Sequence, residues 1–131
     1  MTETTFVPKI LVDDDEVKMC FTLTKLFELS NCSVAVAHNG LEALEKIDSF
    51  QPHCILLDIR MPQMNGVEVL KKVKQDHPEI VVIMTTAVAT EESRNECLEI
   101  GAAEYLIKPI DFKELLGIIK TRVHPTDRVQ S

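Results

Sequence analysis

The sequence predicts one α/β domain in which helices cover both faces of a parallel sheet. Short apolar runs alternate along the chain with longer segments whose apolar residues recur at helical spacing. A chain of 131 residues with 45% hydrophobic residues is also long enough to bury one core of ordinary size. We therefore expect five βα units, each a short strand followed by a helix.

The first βα unit begins with residues 9–12, a short apolar run that stops abruptly at a row of acids and is predicted to form strand one. Residues 16–30 then carry Met19, Leu23 and Leu26 at helical spacing. This spacing predicts a first helix with one face turned toward the core.

The second and third units repeat this pattern. Residues 34–37 predict strand two, and a helix with an apolar face follows a short Asn-Gly turn. Residues 54–57 are apolar throughout, as expected for a central strand that is covered on both faces. A loop containing Pro62 precedes the third helix, which is predicted to end at His77.

The last two units complete the alternation. Residues 80–84 are apolar and β-branched and predict strand four, whereas helix four, about residues 91–100, has few apolar anchors. Gly101 is well placed to cap that helix. Residues 104–107 predict strand five, and a D-x-x-E capping pattern that begins at Asp111 predicts the start of the last helix.

Five such units with short, right-handed connections imply a flavodoxin-like (βα)5 three-layer sandwich with strand order 2-1-3-4-5. Functional-type side chains follow four of the strands: Asp14 and Asp15, then Asp58, then Thr86, then Lys108. Strands one and three are neighbours in this order, at the edge where open α/β sheets bind ligands. We therefore expect these side chains to meet there.

Composition limits the class of function. The formal charge of −7 disfavours nucleic-acid binding, which needs Lys and Arg to neutralise phosphates. No segment resembles a signal peptide or a membrane span of about 20 apolar residues, so we expect a cytoplasmic protein with no membrane partner. The cysteines form no CxxC pair and are expected to be reduced. We expect an N-terminal extension, the domain, and a flexible tail or linker at residues 1–8, 9–123 and 124–131.

The three acids predict the chemistry of the site. Asp14, Asp15 and Asp58 would repel each other unless a cation lay between them, and carboxylates suit Mg²⁺ or Mn²⁺. Beside such a cation, Asp58 can act as a nucleophile toward a phosphorylated donor. Lys108 would offset the developing charge, and Thr86 could donate a hydrogen bond.

Four motifs carry a resemblance to a known family. The segments VDDDE, LLDIRMPQMNG, MTTA and YLIKP, in this order, resemble the motifs of bacterial response-regulator receiver domains of the CheY type, over nearly the whole chain. The resemblance implies that Asp58 is the phospho-acceptor. It also implies that Asp14, Asp15 and the backbone carbonyl of Arg60 bind the metal with Asp58, Asp15 being the more direct ligand of the acidic pair.

The resemblance also implies a switch. Thr86 would move toward the phosphoryl group, Tyr105 would change rotamer, and Lys108 would bridge to the phosphate, with a cis peptide bond between Lys108 and Pro109. The surface of helix four, strand five and helix five would then change. A sensor histidine kinase or phosphotransfer protein would supply the phosphoryl group, and a protein effector or a homodimer mate would bind the changed surface.

The sequence departs from the family at Asp13, where an apolar residue usually precedes the acidic pair. Taking Asp14 and Asp15 as the pair aligns the first helix without a gap. Alternation along the strand would then turn Asp13 away from Asp14 and toward the core, where an unpaired carboxylate is costly. Two alternatives follow: a Lys holds Asp13, or Asp13 stays exposed. We expect Asp13 to reduce stability and to leave the metal site intact.

Two positions and two rival functions complete the expectations. Arg60 and Val88 lie two residues beyond Asp58 and Thr86, and Val88 cannot activate water, which predicts a long-lived aspartyl phosphate. One rival is a phosphatase with an aspartyl-phosphate intermediate, but the second acid of its DxD motif is replaced here by Arg60. The other is a degenerate receiver that binds partners without phosphorylation, a reading that the full residue set disfavours.

Overall fold

The computed structural model describes residues 6–61 and 64–125, which form a five-stranded parallel sheet between two layers of helices. The strand order is β2-β1-β3-β4-β5, which confirms the predicted flavodoxin-like layout. The strands are β1 Lys9–Asp13, β2 Ser33–Ala37, β3 Cys54–Asp58, β4 Val81–Thr86 and β5 Glu104–Ile107. The helices are α1 Val17–Leu29, α2 Gly40–Phe50, α3 Gly66–Asp76, α4 Glu91–Ile100 and α5 Phe112–Arg122.

The sheet separates two apolar cores because alternate strand residues point to opposite faces. Leu11, Ile55 and Met84 face the side covered by α2, α3 and α4. Ile10 and Leu56 face the side covered by α1 and α5. β3 is buried along its whole length, as predicted for a central strand with helices on both faces.

Side-chain caps start four of the helices close to the predicted positions. In each of these helices, backbone N–H groups of the first turn donate hydrogen bonds to the side chain of the residue just before the helix. These residues are Asn39 for α2, Asn65 for α3, Thr90 for α4 and Asp111 for α5. Gly101 ends α4 with φ of 131°, a conformation that favours glycine and confirms its predicted capping role. The polar helix α4 is therefore held by its two ends more than by apolar anchors.

Three strands extend further at their carboxyl ends than predicted, and each of these extensions takes in a polar residue. β1 includes Asp13, β3 includes Asp58, and β4 runs to Thr86. Sheet pairing explains the difference, because Asp13 lies opposite both Ala37 and Leu57. Polarity alone had marked these residues as strand-end side chains, but the backbone ladder continues through them.

Some expectations fall outside the described residues: residues 1–5 of the extension, Pro62 of the loop after β3, and residues 126–131 of the tail. Of the extension, Phe6 lies edge-on to the ring of His53 at 5.0 Å, just before β1. All four cysteines are buried and free of disulfides, as expected. In the described part of the chain, no helix has the length and apolar character to cross a membrane.

Candidate functional site

The carboxylates of Asp14, Asp15 and Asp58 converge at the carboxyl edge of the sheet. One oxygen from each lies within 4.8 Å of the others. The convergence follows from topology, since β1 and β3 pair in register up to Asp13 and Leu57, the residues immediately before Asp14 and Asp58. Asp14 and Asp58 are buried, whereas Asp15 is exposed. The exposed side leaves this group of acids open to solvent.

Lys108 reaches into the acid cluster from the end of β5. Its Nζ lies 2.8 Å from Asp14 Oδ2, 2.9 Å from Glu16 Oε1 and 3.4 Å from Asp58 Oδ2. Burial tends to lower the pKa of Lys108, but the three carboxylates outweigh it and raise the pKa above its ordinary value. Lys108 is thus a fixed cation, and its peptide bond to Pro109 is cis.

The surroundings of Asp58 disfavour its negative charge. Burial is the main cause that raises its pKa to about 6, and the charge of Asp14 adds to it, whereas Lys108 opposes it. Its Oδ1 accepts a hydrogen bond of 3.3 Å from the backbone N–H of Arg60. Asp58 can therefore act as a carboxylate nucleophile near neutral pH, in surroundings that favour neutralising its negative charge.

Gly66 fixes the position of Asp58 from behind. A Cβ atom at Gly66 would lie 2.3 Å from the backbone oxygen of Asp58 and 2.8 Å from the Cα of Ile59. The N–H of Gly66 also donates to the oxygen of Ile59 at 2.8 Å. Only glycine allows the start of α3 to approach the end of β3 this closely. In the sequence this glycine is visible only as the last residue of the LLDIRMPQMNG motif.

The hydroxyl of Thr86 is engaged with the loop after β4. Its Oγ1 donates to the backbone oxygen of Val88 at 3.1 Å and accepts from the N–H of Val88 at 3.2 Å. Thr86 is buried, and the side chain of Val88 is exposed. A hydrogen bond from Thr86 to a group bound at Asp58 would therefore require this local arrangement to open.

Comparison with known proteins decides the family. Residues 10–120 match the family model described as the response regulator receiver domain. The chain belongs to this family. This confirms the resemblance seen in the four sequence motifs, and it places the receiver among the signalling switches of two-component systems rather than among classical enzymes.

The curated relatives are longer than this receiver. It is 43% identical over 106 residues to the transcriptional regulatory protein ZraR of Klebsiella oxytoca, which covers 81% of the chain and 24% of that protein. It is 38% identical to the transcriptional regulatory protein CpxR of Escherichia coli K12, over 94% of the chain and 53% of that protein. The receiver thus spans about a quarter to about half of these relatives.

A solved structure has the same architecture. The CheY-like receiver domain protein of Methanospirillum hungatei superposes with a TM-score of 0.84 at 31% identity, covering 88% of this chain and 93% of that one. The receiver fold of the present chain is therefore shown both by sequence and by shape.

Tyr105, the second switch residue expected in this receiver, faces the α4 side of the sheet. It is buried among residues that include Cys97 and Ala102, and its hydroxyl has no hydrogen-bond partner among the described residues. A buried hydroxyl without a partner costs about 1–3 kcal/mol. The inward position of the ring therefore carries a penalty in the unphosphorylated receiver.

Asp13 is fully buried on the same face of the sheet as Leu11. Neither of its oxygens has a hydrogen-bond partner among the described residues. Asp13 therefore lies in the core and is not exposed, and no described lysine holds it there. Burial, followed by the charges of Asp14 and Glu42, raises the pKa of Asp13 to about 8. It lies outside the cluster formed by Asp14, Asp15 and Asp58.

Sequence reasoning missed the residues that hold Asp14 in place. The backbone oxygen of Asp14 lies 3.0 Å from Nδ1 of His38 and accepts from the thiol of Cys20 at 3.3 Å. Its Oδ1 accepts from the N–H of Glu16 at 2.9 Å. Nothing in the local sequence marks His38 or Cys20 for this role, because the contacts depend on strand order. Glu16 was visible in the VDDDE motif, but its contact with Lys108 was not.

Proposed function

We propose that the receiver accepts a phosphoryl group on Asp58 in a reaction that depends on a divalent cation. The observation that carries the proposal is the meeting of Asp14, Asp15 and Asp58 within 4.8 Å, with the Nζ of Lys108 3.4 Å from Asp58 Oδ2. Acids packed this closely favour a cation among them, and the fixed lysine supplies a second positive charge next to the reacting oxygen.

The donor set fits a hard cation such as Mg²⁺ or Mn²⁺. Asp15, which is exposed and adjacent to the cluster, would be its more direct ligand of the acidic pair, together with Asp58 and the backbone carbonyl of Arg60, and Asp14 would contribute charge. When bound, the cation would neutralise charge that develops on the transferring phosphoryl group. A cavity of about 530 Å³ that is lined by Asp15 and Arg60 offers the donor a way in.

The residues of the chain carry out the transfer mainly by position. A carboxylate oxygen of Asp58 attacks the phosphorus, and the bond from phosphorus to the donor atom breaks with its electron pair on the donor. That atom is nitrogen in a phosphohistidine and oxygen in an acyl phosphate. Lys108 holds its ammonium protons toward the new phosphoryl oxygens, because its Nζ already lies beside Asp58.

Phosphorylation would then change the surface formed by α4, β5 and α5. Thr86 would exchange its bonds to Val88 for a bond to the phosphoryl group, and the loop after β4 would follow. Tyr105 pairs with Met84 on the neighbouring strand, is already buried, and would change rotamer as that loop moves. The phosphoryl group shifts this equilibrium only as far as it binds the rearranged form better.

Partners follow from this surface. We propose a sensor histidine kinase or a phosphotransfer protein as the donor, and a protein effector or a homodimer mate on the surface of α4, β5 and α5. ZraR and CpxR are named as transcriptional regulators, and the present chain covers only part of each. Contact with nucleic acid is not proposed for the residues of this receiver, whose net charge is −7.

The test is phosphorylation of the purified chain by acetyl phosphate, followed by intact mass in the presence of Mg²⁺. A single phosphoryl adduct that needs both Asp58 and the cation supports the proposal. Asp58→Asn, which keeps the size of the side chain, and a chelator are the controls. No adduct on the wild type would favour the phosphorylation-independent binder, and rapid continuous release of phosphate would favour the phosphatase.

A further inference from the structure

Lys108 has one carboxylate partner that the proposed chemistry does not use. Its Nζ contacts Asp14 at 2.8 Å, Glu16 at 2.9 Å and Asp58 at 3.4 Å. An ammonium group has three N–H donors and no acceptor, and the contact of Lys108 with Glu16 is a hydrogen bond. A phosphoryl group on Asp58 would draw on the same ammonium group and would compete with these carboxylate partners.

The three partners differ in what it costs to release them. The side chain of Asp14 is 2% exposed and that of Asp58 is 7% exposed, whereas that of Glu16 is 59% exposed. A buried carboxylate that loses its cation is left without solvation, whereas an exposed one is hydrated by water. Lys108 therefore loses Glu16 more easily than it loses Asp14.

The side chain of Glu16 also does not cap the helix that begins after it, as a side chain at this position usually does. It is the N-cap residue of α1, but its side chain makes no capping hydrogen bond. Glutamate is not among the residues preferred there, and aspartate would be. Its side chain instead reaches Lys108, 92 residues away in the sequence. The contact joins the start of α1 to the end of β5.

We propose that Glu16 is a positioning residue that holds Lys108 in the unphosphorylated receiver and releases it when Asp58 is phosphorylated. The inference rests on the proposed function of Asp58. Glu16 competes with the phosphoryl group for the same ammonium protons, so it sets how readily the site is filled. It leaves the reacting oxygen itself untouched.

Removing this competition should favour phosphorylation. In Glu16→Gln the ion pair is lost, and we expect phosphorylation by acetyl phosphate to become about two- to five-fold faster, the range of one solvent-exposed ion pair. The phosphoryl analogue beryllofluoride, added with Mg²⁺ and followed by ¹⁹F NMR, should bind tighter by a similar factor. This second readout involves no bond making to a donor.

Two variants distinguish the contact between Glu16 and Lys108 from simple repulsion between the charge of Glu16 and the anionic donor. Glu16→Asp keeps the negative charge but is shorter by about 1.5 Å, and its carboxylate is suited to cap α1 instead. If Glu16 acts by holding Lys108, this variant behaves like Glu16→Gln; if it acts by repulsion, the variant behaves like the wild type. Glu28→Gln removes an exposed charge at the far end of α1 and should change nothing.

The contact itself can be observed without any phosphoryl donor. The ¹H–¹⁵N signal of the Lys108 ammonium, assigned by its loss in Lys108→Ala, should exchange faster with water in Glu16→Gln and Glu16→Asp than in the wild type. Unchanged exchange together with unchanged phosphorylation in both variants would overturn the inference, provided that wild-type Asp58 is phosphorylated. A wild type that accepts no phosphoryl group would instead overturn the proposed function, while the exchange rates still report on the contact.

Discussion

Replacing Asp13 by valine should stabilise the receiver strongly at neutral pH. The residue is 0% exposed, has no hydrogen-bond partner for either oxygen among the described residues, and lies between apolar neighbours in the sheet. An unpartnered carboxylate in such a place either ionises at a high electrostatic cost or holds a proton. Valine at the end of a buried strand needs neither and fits the pleated surface.

The magnitude follows from the pKa. The folded protein raises the pKa of Asp13 from 3.8 to about 8, mainly by burial. Because the folded state binds this proton more tightly than the unfolded state, stability is lost as the pH rises from about 4 to about 8. At 1.36 kcal/mol per pKa unit, the loss by pH 7 is about 4 kcal/mol, a large share of the 5–15 kcal/mol of a typical domain.

Urea unfolding followed by circular dichroism, without divalent cations, measures this effect at pH 5, 6, 7 and 8. The difference in unfolding free energy between Asp13→Val and the wild type should widen steadily with pH. Asp13→Asn should remove the pH dependence but keep an unpartnered amide, and Glu92→Gln controls for loss of an exposed charge. A difference that stays constant across this range would refute the reasoning.

The same variant tests the separation of Asp13 from the cation site. Since Asp13 lies outside the cluster of Asp14, Asp15 and Asp58, calorimetric titration of Asp13→Val with Mg²⁺ should give an affinity close to that of the wild type. A large loss of affinity would show that Asp13 supports the site after all.

Four further changes have expected outcomes. Gly66→Ala should destabilise the fold by about 3 kcal/mol in urea unfolding, because its Cβ would meet the backbone of Asp58 at 2.3 Å. Gly117→Ala should instead stabilise by up to about 1 kcal/mol, because its Cβ would meet no atom of the described residues within 4 Å beyond its own stretch of helix. Tyr105→Phe should stabilise the unphosphorylated receiver by about 1 kcal/mol, because it removes a buried hydroxyl without a described partner; a destabilised variant would reveal a partner for it. Val88→Glu should shorten the life of the phosphoryl adduct about tenfold, by placing a general base near it. Loss of the wild-type adduct within seconds, with no acceleration in Val88→Glu, would contradict this.

The fold was predictable because its signals are local and repeated. Apolar runs such as residues 54–57 mark buried strands, and capping residues such as Asp111 mark helix starts. Right-handed connections then leave few possible strand orders, and the observed order brings Asp14 next to Asp58. Strand ends were less predictable, since pairing with β2 and β3 carries Asp13 into the ladder although its side chain is polar.

The contacts around the site were predictable only in part. The position of Lys108 near Asp58 follows from the order of the strands, but its choice of partners does not. Glu16 is adjacent to the acidic pair in sequence, and whether its side chain caps α1 or reaches across to β5 depends on side-chain length and on the angle between the two elements. The close approach behind Gly66 likewise depends on how α3 docks, and a sequence shows only that a glycine is present.

The acids at the carboxyl edge of the sheet lower the stability of the receiver while they prepare its site for reaction. The charges of Asp14 and Asp58 add to the cost of ionising Asp13, and the charge of Asp14 adds to that of Asp58, where Lys108 offsets part of it. A receiver with valine at position 13 would be more stable, because the buried acid that these charges destabilise would be gone. Glu16 has the opposite effect, because its contact with Lys108 stabilises the unphosphorylated form and so disfavours phosphorylation. On this reasoning a bound cation would stabilise the site by supplying positive charge among its acids, and phosphorylation, which adds negative charge at Asp58, would strengthen the need for both the cation and Lys108.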